Sequence, residues 1–311
     1  MKAKLIVSID CEGKWGIADR GEIRLSVINS ISLNSAYKKI LSILLENKAV
    51  ATFGFVSALC MDVDWLDFKI NKNIENMSFG EYDWMSGAKK ALKENNLEGW
   101  LEPQLIKMVI DSEQHICSHG GFHIPYNEEL VDEKSIDYDL LAIQDLRDKF
   151  NLDLDCLIFP RNVIGFKSKL YHSGFKAYRD IDTREKDQSF KGKVQRVCNE
   201  VLSLDVSDLS SHSNVQIGGG VIKPLSSAKF LNAKIGIRKY IPAYITKRRI
   251  DFLLSHAVKN GLTLHLYTHP HNFIVDESMF EKLSYLYKEA NKYVMAESLI
   301  IATMKDEMNE V

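Results

Sequence analysis

The chain has 311 residues, with 40 basic and 42 acidic side chains and a formal net charge of −2 at pH 7. This balance lacks the strongly basic character of nucleic-acid-binding proteins, so we expect no nucleic-acid partner. The length suits a single barrel domain of about 250 residues with insertions.

Five cysteines are widely spaced, and most of them lie inside apolar runs. This pattern predicts reduced, buried thiols and no disulfide framework. We find no signal-peptide pattern before the apolar run that starts at Leu5, and no stretch approaches transmembrane length. The sequence therefore predicts a cytoplasmic protein.

The first predicted strand, 5–9, leads directly into Asp10-Cys11-Glu12-Gly13. Side chains two apart on an extended backbone point the same way, so the carboxylates of Asp10 and Glu12 are expected to lie together at the strand end. Taken alone, such a pair more often marks a turn with solvated acids.

Short apolar runs recur along the chain, and helical periodicity lies between several of them. Strands are predicted near 5–9, 50–56, 115–118, 156–160, 175–179, 201–206 and 262–268, and helices at 28–47, 101–113 and 133–150. This alternation predicts a mostly parallel sheet covered by helices, closed into a single distorted (β/α) barrel that spans 1–311.

Two segments read as insertions into the barrel, 61–99 and 182–247. The first carries Trp65 and Trp84, and Trp100 follows it. These rings are the right type for a sugar-stacking lid, but aromatic side chains more often pack an insertion onto its core, and we favour packing.

Two imidazoles four residues apart occur in Ser118-His119-Gly120-Gly121-Phe122-His123, directly after a predicted strand. An HxxxH pair alone is a weak signal. Together with Glu12, however, His119 and His123 make a two-histidine, one-carboxylate set, which binds a catalytic metal and leaves a position for water or substrate. Asp10 then remains available nearby as a general base.

Two later strands also end in polar residues. The run 156–160 ends in Pro160-Arg161-Asn162, which delivers Arg161 to the end of a predicted strand, although an exposed arginine at a turn is equally compatible. The strand 262–268 alternates so that His265, Tyr267 and His269 share one face, with His271 just beyond. His265 lies deeper and is expected to be a hydrogen-bonded core histidine or a partner of the site.

The segment 229–249 contains seven Lys or Arg residues and no acids, with apolar and aromatic residues between them. It is compatible with binding the diphosphate of an activated sugar or with peripheral contact with an anionic membrane surface. A solvated helix with an apolar inner face is the more common explanation.

Together these runs resemble the polysaccharide deacetylases, also called NodB-homology proteins or carbohydrate esterase family 4, over most of the chain. Asp10-Cys11-Glu12 resembles the family's first motif, with one residue inserted and Glu in place of the usual metal-binding Asp. Ser118–His123 resembles the second motif, and 51–56 resembles the strand between the two motifs.

The resemblance implies a role for each candidate residue. Asp10 would be the general base, and a divalent metal, most suitably zinc, would be bound by Glu12, His119 and His123. Arg161 would orient Asp10, although the family usually has Arg before Pro. His269 would be the general acid, with His271 as the alternative. The acid that partners this histidine would be Asp180, Asp182 or Asp205.

The implied activity is that of a metal-dependent hydrolase of non-peptide C–N bonds. Its expected partner is an N-acylated amino sugar, most suitably N-acetylated, on a nucleotide- or lipid-linked precursor of a surface glycan. Two alternatives stay open: a deformylase or other C–N hydrolase on the same scaffold, and a catalytically silent relative that binds metal or glycan.

Overall fold

Seven parallel strands form the centre of the fold and pair into a closed ring. The computed structural model describes residues 2–17, 26–72, 77–181, 190–202, 215–217 and 220–310. The strands are β1 Ala3–Cys11, β2 Thr52–Phe55, β3 Ser78–Phe79, β4 Tyr82–Asp83, β5 His115–Ser118, β6 Cys156–Leu157, β7 Ala177–Ile181, β8 Val215–Ile217, β9 Gly220–Phe230, β10 Thr263–Thr268 and β11 Leu299–Ala302.

Helices alternate with these strands along most of the chain. The α-helices are α1 Ser30–Glu46, α2 Val63–Lys72, α3 Ser86–Lys93, α4 Pro103–Asp111, α5 Glu133–Phe150, α6 Lys167–His172, α7 Phe190–Leu202, α8 Ala243–Asn260, α9 Pro270–Val275, α10 Ser278–Met295 and α11 Met304–Met308. Short 3-10 helices occupy Trp15–Ile17, Ser57–Cys60, Pro160–Asn162 and Gly236–Tyr240. No helix within the described ranges has the length and apolar character needed to cross a membrane.

The ring runs β1, β2, β5, β6, β7, β9, β10 and back to β1, with every neighbouring pair parallel. On one side of β1, β2 pairs with its carboxyl half and β11 with its amino half. The predicted single distorted (β/α) barrel is therefore confirmed. Because all seven strands run the same way, their carboxyl ends meet at one end of the barrel, which we call the carboxyl rim.

Alternation along β1 separates the two sides of the barrel wall. Leu5, Val7 and Ile9 belong to the large apolar core between strands and helices, whereas Ile6 belongs to a small cluster inside the barrel. The other members of that inner cluster are Cys117, Cys156, Ile158, Ala177, Leu225, Ala302 and Met304. Since residues two apart share a face, Ser8 and Asp10 follow Ile6 on the inner face of β1 and continue it toward the carboxyl rim.

Local sequence signals explain the main helices. α1 begins with a capping box between Asn29 and Ser32, and Asp132 caps α5 through the backbone N–H of Ser135. α5 ends at Asn151, which adopts the left-handed conformation. The three predicted helices correspond to α1, α4 and α5, with boundaries that agree within two residues.

Two elements differ from the sequence prediction. Val201 and Leu202 end α7 instead of starting a strand, and the rest of the predicted strand 201–206 lies outside the described residues. β9 was not predicted, because Pro224 and the small residues Ser226 and Ser227 give it little apolar alternation. β9 nevertheless closes the ring, pairing with β7 on one side and β10 on the other.

The segment 61–99 contains α2, the β3–β4 hairpin and α3. Trp84 is buried and donates from Nε1 to the carbonyl of Phe122 at 2.8 Å, and Trp65 stacks on the Phe122 ring. Trp100 is also buried. The prediction that these tryptophans pack the segment onto the core is confirmed, while its status as an insertion stays a prediction, as does that of 182–247, which is only partly described.

The cysteines are all unpaired, and Cys11, Cys60, Cys117 and Cys156 are buried, while Cys198 is exposed. The expected reduced thiols are therefore present. Burial raises the pKa of the Cys117 thiol well above its ordinary value, so this group stays protonated and behaves as an apolar side chain.

His115 at the start of β5 gives a testable pH dependence. Burial lowers its pKa to about 4, while its Nδ1 lies 3.0 Å from Thr52 Oγ1. Protons therefore bind preferentially to the unfolded chain between about pH 6.5 and about pH 4, and stability is lost as the pH falls through this window, at up to about 1.4 kcal/mol per pH unit. Urea unfolding across this pH range should show that the free energy of unfolding falls less steeply with decreasing pH in His115→Gln than in wild type. The control variant His172→Gln, at an exposed position, should show the same pH dependence of stability as wild type. A pH dependence of His115→Gln parallel to that of wild type would contradict the assignment.

Candidate active site

The carboxylate of Glu12 lies at the centre of a cluster of imidazoles on the carboxyl rim. Its Oε1 is 3.1 Å from His119 Nε2, 3.0 Å from His123 Nε2 and 3.3 Å from His269 Nε2. Glu12, His119 and His123 are buried. Three segments supply these groups: the end of β1, the loop after β5 and the residue that follows β10.

The turn after β1 fixes the position of Glu12. Gly13 adopts a left-handed φ of +55°, and a Cβ on Gly16 would lie 1.8 Å from Glu12 Oε2. The backbone of Gly16 therefore packs directly against the carboxylate. Burial by itself raises the pKa of Glu12, but the nearby His269 and His123 outweigh burial and hold that pKa well below its ordinary value.

Asp139 holds the loop that carries the two histidines. Its carboxylate accepts hydrogen bonds from Gly121 N at 2.7 Å, Phe122 N at 2.6 Å and Tyr126 Oη at 2.9 Å. Burial raises the pKa of Asp139 to about 6 in spite of these three donors. A Cβ on Gly121 would lie 2.2 Å from the Asp139 carbonyl oxygen, so only glycine allows this close approach of loop and helix.

Asp139 was not identified from the sequence. The available signal was its position on α5, where it lies on the same helix face as the buried Ile136 and Ile143. An acid on an apolar helix face needs hydrogen-bond donors nearby, and the tight loop after β5 supplies them.

The hydrogen bonds around His119 fix its tautomer. Its Nδ1 lies 2.8 Å from the carbonyl oxygen of Ile158, which can only accept, so Nδ1 carries a proton, and Nε2 faces Glu12 Oε1 at 3.1 Å. His123 is also buried, and neither of its ring nitrogens makes a hydrogen bond of normal geometry with any described residue. Burial lowers the pKa of His123, which favours the neutral ring.

Within the described part of the chain, two sets of side chains have metal-donor atoms within 4.8 Å of one another: Glu12 with His119 and His123, and Asp10 with Glu12 and His269. The first set suits a divalent cation better, because both oxygens of Asp10 are already engaged by an arginine. A buried imidazole whose nitrogens make no hydrogen bond of normal geometry, and a second one whose Nδ1 is bonded to a carbonyl while Nε2 faces the cluster, are also the ligands that a metal such as zinc uses.

Asp10 is clamped by Arg179. Nη1 of Arg179 donates to Asp10 Oδ1 at 2.6 Å, and Nη2 donates to Oδ2 at 2.8 Å, with both side chains buried. Burial by itself raises the pKa of an aspartate, but the guanidinium outweighs burial and holds the pKa of Asp10 below its ordinary value. Asp10 Oδ2 lies 3.9 Å from Nε2 of both His119 and His269, so the ionised carboxylate borders the cluster.

The predicted role of Arg161 in orienting Asp10 is therefore corrected to Arg179. Arg161 has a left-handed φ of +54° in the turn after β6, and its guanidinium lies over the Trp84 ring at 5.2 Å. The same turn contributes Asn162, whose Oδ1 accepts from Arg179 Nη2 at 2.8 Å. Arg179 belongs to β7, where it shares the inner face of the barrel with Ala177.

A line of buried polar groups continues from Arg179 into the barrel. Arg179 Nη1 donates to Ser8 Oγ at 3.0 Å, Ser8 Oγ lies 2.9 Å from His265 Nε2, and His265 Nδ1 lies 3.2 Å from Ser226 Oγ. Ser226 Oγ in turn donates to Glu307 Oε2 in α11 at 3.0 Å. Burial and Arg179 lower the pKa of His265 to about 3, so His265 is a neutral, hydrogen-bonded core histidine, one of the two alternatives expected.

His269 lies at the edge of the site, between β9 and β10. Its ring contacts those of Phe230 and Tyr267, and it stacks on His271 with a centroid distance of 4.8 Å and an interplanar angle of 29°. Burial lowers the pKa of His269, but Glu12 and Asp10 outweigh burial and raise it above its ordinary value. Of its predicted acidic partners, Asp182 and Asp205 lie outside the described residues, and Asp180 occupies β7 beside Arg179.

The fold has close counterparts among solved structures. A proposed polysaccharide deacetylase from Mycobacterium smegmatis aligns with a TM-score of 0.62 at 12% identity, over 99% of this chain and 89% of that one. A second, from Pseudomonas aeruginosa PAO1, aligns with a TM-score of 0.58 at 11% identity, over 99% of this chain and 90% of that one. Puue allantoinase aligns with a TM-score of 0.60 at 11% identity, over 98% of this chain and 88% of that one. No protein-family model matches the sequence, and no curated protein matches it. The chain has the polysaccharide-deacetylase fold, that of NodB-homology proteins and carbohydrate esterase family 4.

The Asp10–Arg179 ion pair predicts unequal stability losses for the two arginines. Arg179→Gln should lower the free energy of unfolding by about 3–5 kcal/mol, because it leaves the buried charge of Asp10 unpaired. Arg161→Gln should lower the free energy of unfolding by only about 1 kcal/mol, because it removes the cation–π contact with Trp84. Urea unfolding checks both values. The double variant Asp10→Asn/Arg179→Gln should recover part of the loss, and equal losses for the two single variants would contradict the assignment.

The cation site makes a second prediction. After dialysis against zinc, elemental analysis should find one ion per wild-type chain, and His123→Ala should lower the affinity by more than about 100-fold, since even an outer hydrogen-bond partner of a metal ligand contributes 10- to 100-fold. His269→Ala should retain the ion. Loss of binding in His269→Ala with retention in His123→Ala would instead indicate the set of Asp10, Glu12 and His269. His271→Ala is the matched control.

Proposed function

We propose that the chain is a metal-dependent hydrolase that removes an N-acyl group, acetyl in the first instance, from an amino sugar. One observation carries the proposal: a buried aspartate held ionised by a bidentate arginine borders a Glu-His-His cluster at the carboxyl rim of a polysaccharide-deacetylase barrel. Catalytic groups of such barrels lie at this end of the strands.

Glu12, His119 and His123 would hold a divalent cation, and zinc suits two imidazoles and a carboxylate. When bound, such a cation lowers the pKa of a water ligand and polarises the acyl carbonyl oxygen. The chain's own contribution is to orient these ligands. Asp139 fixes the histidine loop, Ile158 fixes the tautomer of His119, and Gly16 supports Glu12.

Asp10 serves as the general base and takes a proton from the attacking water. Arg179 keeps Asp10 ionised and fixes the plane of its carboxylate through two parallel hydrogen bonds. Asn162 and Ser8 contact the same guanidinium, so the base stands on a rigid support. Asp10, the proposed proton acceptor, therefore borders the proposed metal ligands but is not itself one of them.

His269 serves as the general acid and gives a proton to the departing amine nitrogen. Its Nε2 lies 3.9 Å from Asp10 Oδ2, which brings acid and base to the same reacting centre. The contacts with Phe230 and Tyr267 limit the rotation of its ring. His271, stacked on His269, is the alternative acid.

The proposed substrate is an N-acetylated amino sugar on a nucleotide- or lipid-linked precursor of a surface glycan, and the proposed location is cytoplasmic. The substrate and the location are both proposed from the sequence. The structural likeness to proposed polysaccharide deacetylases supports a carbohydrate as the substrate. A second candidate is hydrolysis of another non-peptide C–N bond, such as that of a formamide. It is supported by the allantoinase, because that protein has a similar fold and its name indicates a substrate other than a polysaccharide.

The decisive experiment measures two products together. Metal-loaded and chelator-treated protein are incubated with nucleotide-linked and detergent-dispersed lipid-linked N-acetyl amino sugars and with their N-formyl analogues, and the released carboxylate and free amine are quantified. Equal amounts of acetate and amine, formed only by the metal-loaded protein, are the expected result. Formate with matching amine would favour the second candidate, and no release by protein with stoichiometric metal would contradict both.

Asp10→Asn separates catalysis from metal binding. The variant keeps the shape of Asp10 but cannot accept a proton, so turnover should fall by about 10²–10⁴-fold, the usual contribution of a general base. Metal content should stay at the wild-type value, whereas His119→Ala should lose both. Glu46→Gln, an exposed change on α1, controls for removal of an acid. Wild-type turnover in Asp10→Asn would exclude Asp10 as the base.

A further inference from the structure

The surface that follows β9 exposes an unusual number of apolar side chains. The exposed fractions of Ile237, Tyr240 and Tyr244 are 66%, 85% and 66%. These residues lie in the 3-10 helix Gly236–Tyr240 and at the start of α8. Single exposed apolar residues are common, but an adjacent group of them indicates a contact surface.

Basic side chains lie among these residues. Lys239, Lys247 and Arg248 are exposed, and none of them forms an ion pair with any acid in the described part of the chain. Arg238 differs, because Glu200 neutralises it at 2.7 Å. We call the exposed set the basic apolar patch: Ile235, Ile237, Lys239, Tyr240, Tyr244, Lys247 and Arg248.

The patch begins beside the candidate active site. β9 ends at Phe230, whose ring centroid is 5.5 Å from that of His269, and Leu231 N donates to the Tyr267 carbonyl at 2.8 Å. A few residues later, Lys234 N donates at 2.6 Å to Asp276, which follows α9. The segment that carries the patch is therefore anchored on the carboxyl rim, the end of the barrel that holds Glu12 and the histidines.

We propose that the basic apolar patch binds the surface of an anionic phospholipid bilayer, so that the site acts on an amino sugar attached to a membrane lipid. Isoleucine side chains enter the boundary between head groups and acyl chains, tyrosine rings lie at the level of the head groups, and lysine and arginine attract anionic lipid. The choice of a lipid-linked substrate rests on the proposed function, whereas membrane binding itself does not.

Charge and composition favour a lipid surface over a protein partner. The segment 229–249 contains no acidic residue. Protein interfaces typically have few lysines at their centre, whereas the exposed Lys239 directly precedes the exposed Tyr240 in the sequence and follows the exposed Ile237 by two residues. Interfacial membrane segments have this composition, with basic and aromatic or aliphatic residues on one exposed surface.

The test is co-sedimentation of the full chain with vesicles. Wild type should bind vesicles of phosphatidylcholine mixed with phosphatidylglycerol, bind vesicles of phosphatidylcholine alone much more weakly, and dissociate at high salt. The variant Ile237→Ser/Lys239→Glu/Tyr240→Ser should lose affinity by on the order of 1,000-fold or more, because the Lys→Glu change alters two charges at about fivefold each and each apolar side chain contributes about tenfold.

A matched control changes two exposed apolar side chains and one exposed lysine elsewhere. Leu45→Ser/Lys288→Glu/Met295→Ser alters two apolar side chains with exposed fractions of 80% and 78% and one exposed lysine, on α1 and α10. This control should bind vesicles as wild type does. Both triple variants should unfold at the wild-type urea concentration, since all six changes are at exposed positions.

The outcomes separate this inference from the proposed function. Equal vesicle binding by wild type and the patch variant, or equal binding to neutral and anionic vesicles, would overturn the docking surface whatever the enzyme's activity. Self-association of wild type, lost in the patch variant and seen without vesicles by light scattering, would assign the patch to a second copy of the chain and overturn it too. With nucleotide-linked and detergent-dispersed lipid-linked N-acetyl sugars, and no vesicles present, the patch variant should release acetate at the wild-type rate. A failure of wild type and variant alike on both kinds of substrate contradicts only the proposed function.

Discussion

The ion pair between Asp10 and Arg179 is the constraint on which the rest of the barrel interior depends. Removing two charges from water costs several kcal/mol for each ion, and only good geometry with further hydrogen bonds offsets that cost. The bidentate contact, the acceptors Ser8 and Asn162 and the ring of Tyr267 at 4.4 Å from the guanidinium provide both. The barrel therefore has two layers inside: a small apolar layer around Ile6 and Cys117, and a polar layer above it that leads to the carboxyl rim.

Glu12 lies outside this pairing. Arg179 neutralises Asp10, whereas the second buried carboxylate is surrounded by the imidazoles of His119, His123 and His269, of which burial lowers the pKa of His123 and the nearby carboxylates raise the pKa of His269. A buried carboxylate requires a positive charge or several donors. The site thus combines one carboxylate paired with an arginine and one whose neighbouring imidazoles give it the donor set that could hold a divalent cation.

Much of this site follows from the sequence, because its residues are carried by short, regular signals. Asp10 and Glu12 follow a clear apolar run, and the glycines between His119 and His123 mark a tight loop, so their convergence was predictable from parallel strands alone. The partner of Asp10 was not. Arg161 lies in a left-handed turn whose direction no local pattern reveals, whereas Arg179 reaches the base across the barrel from β7. Asp139 was not predicted, because its role depends on a contact between a helix and a loop distant in the sequence. β9 was not predicted, because it lacks apolar alternation.

The polar line through the barrel links the helix α11 to Arg179, although α11 contributes no residue to the Glu12 cluster. Glu307 receives hydrogen bonds from Ser226, Ser226 contacts His265, and His265 contacts the Ser8 hydroxyl that accepts from Arg179. Lys223 Nζ ties the same helix to β9 through the carbonyl of Glu307 at 2.7 Å. Side-chain contacts thereby form a continuous path from the last helix to the guanidinium that holds Asp10, so a substitution in α11 such as one at Glu307 bears on the packing of that ion pair although it touches neither residue.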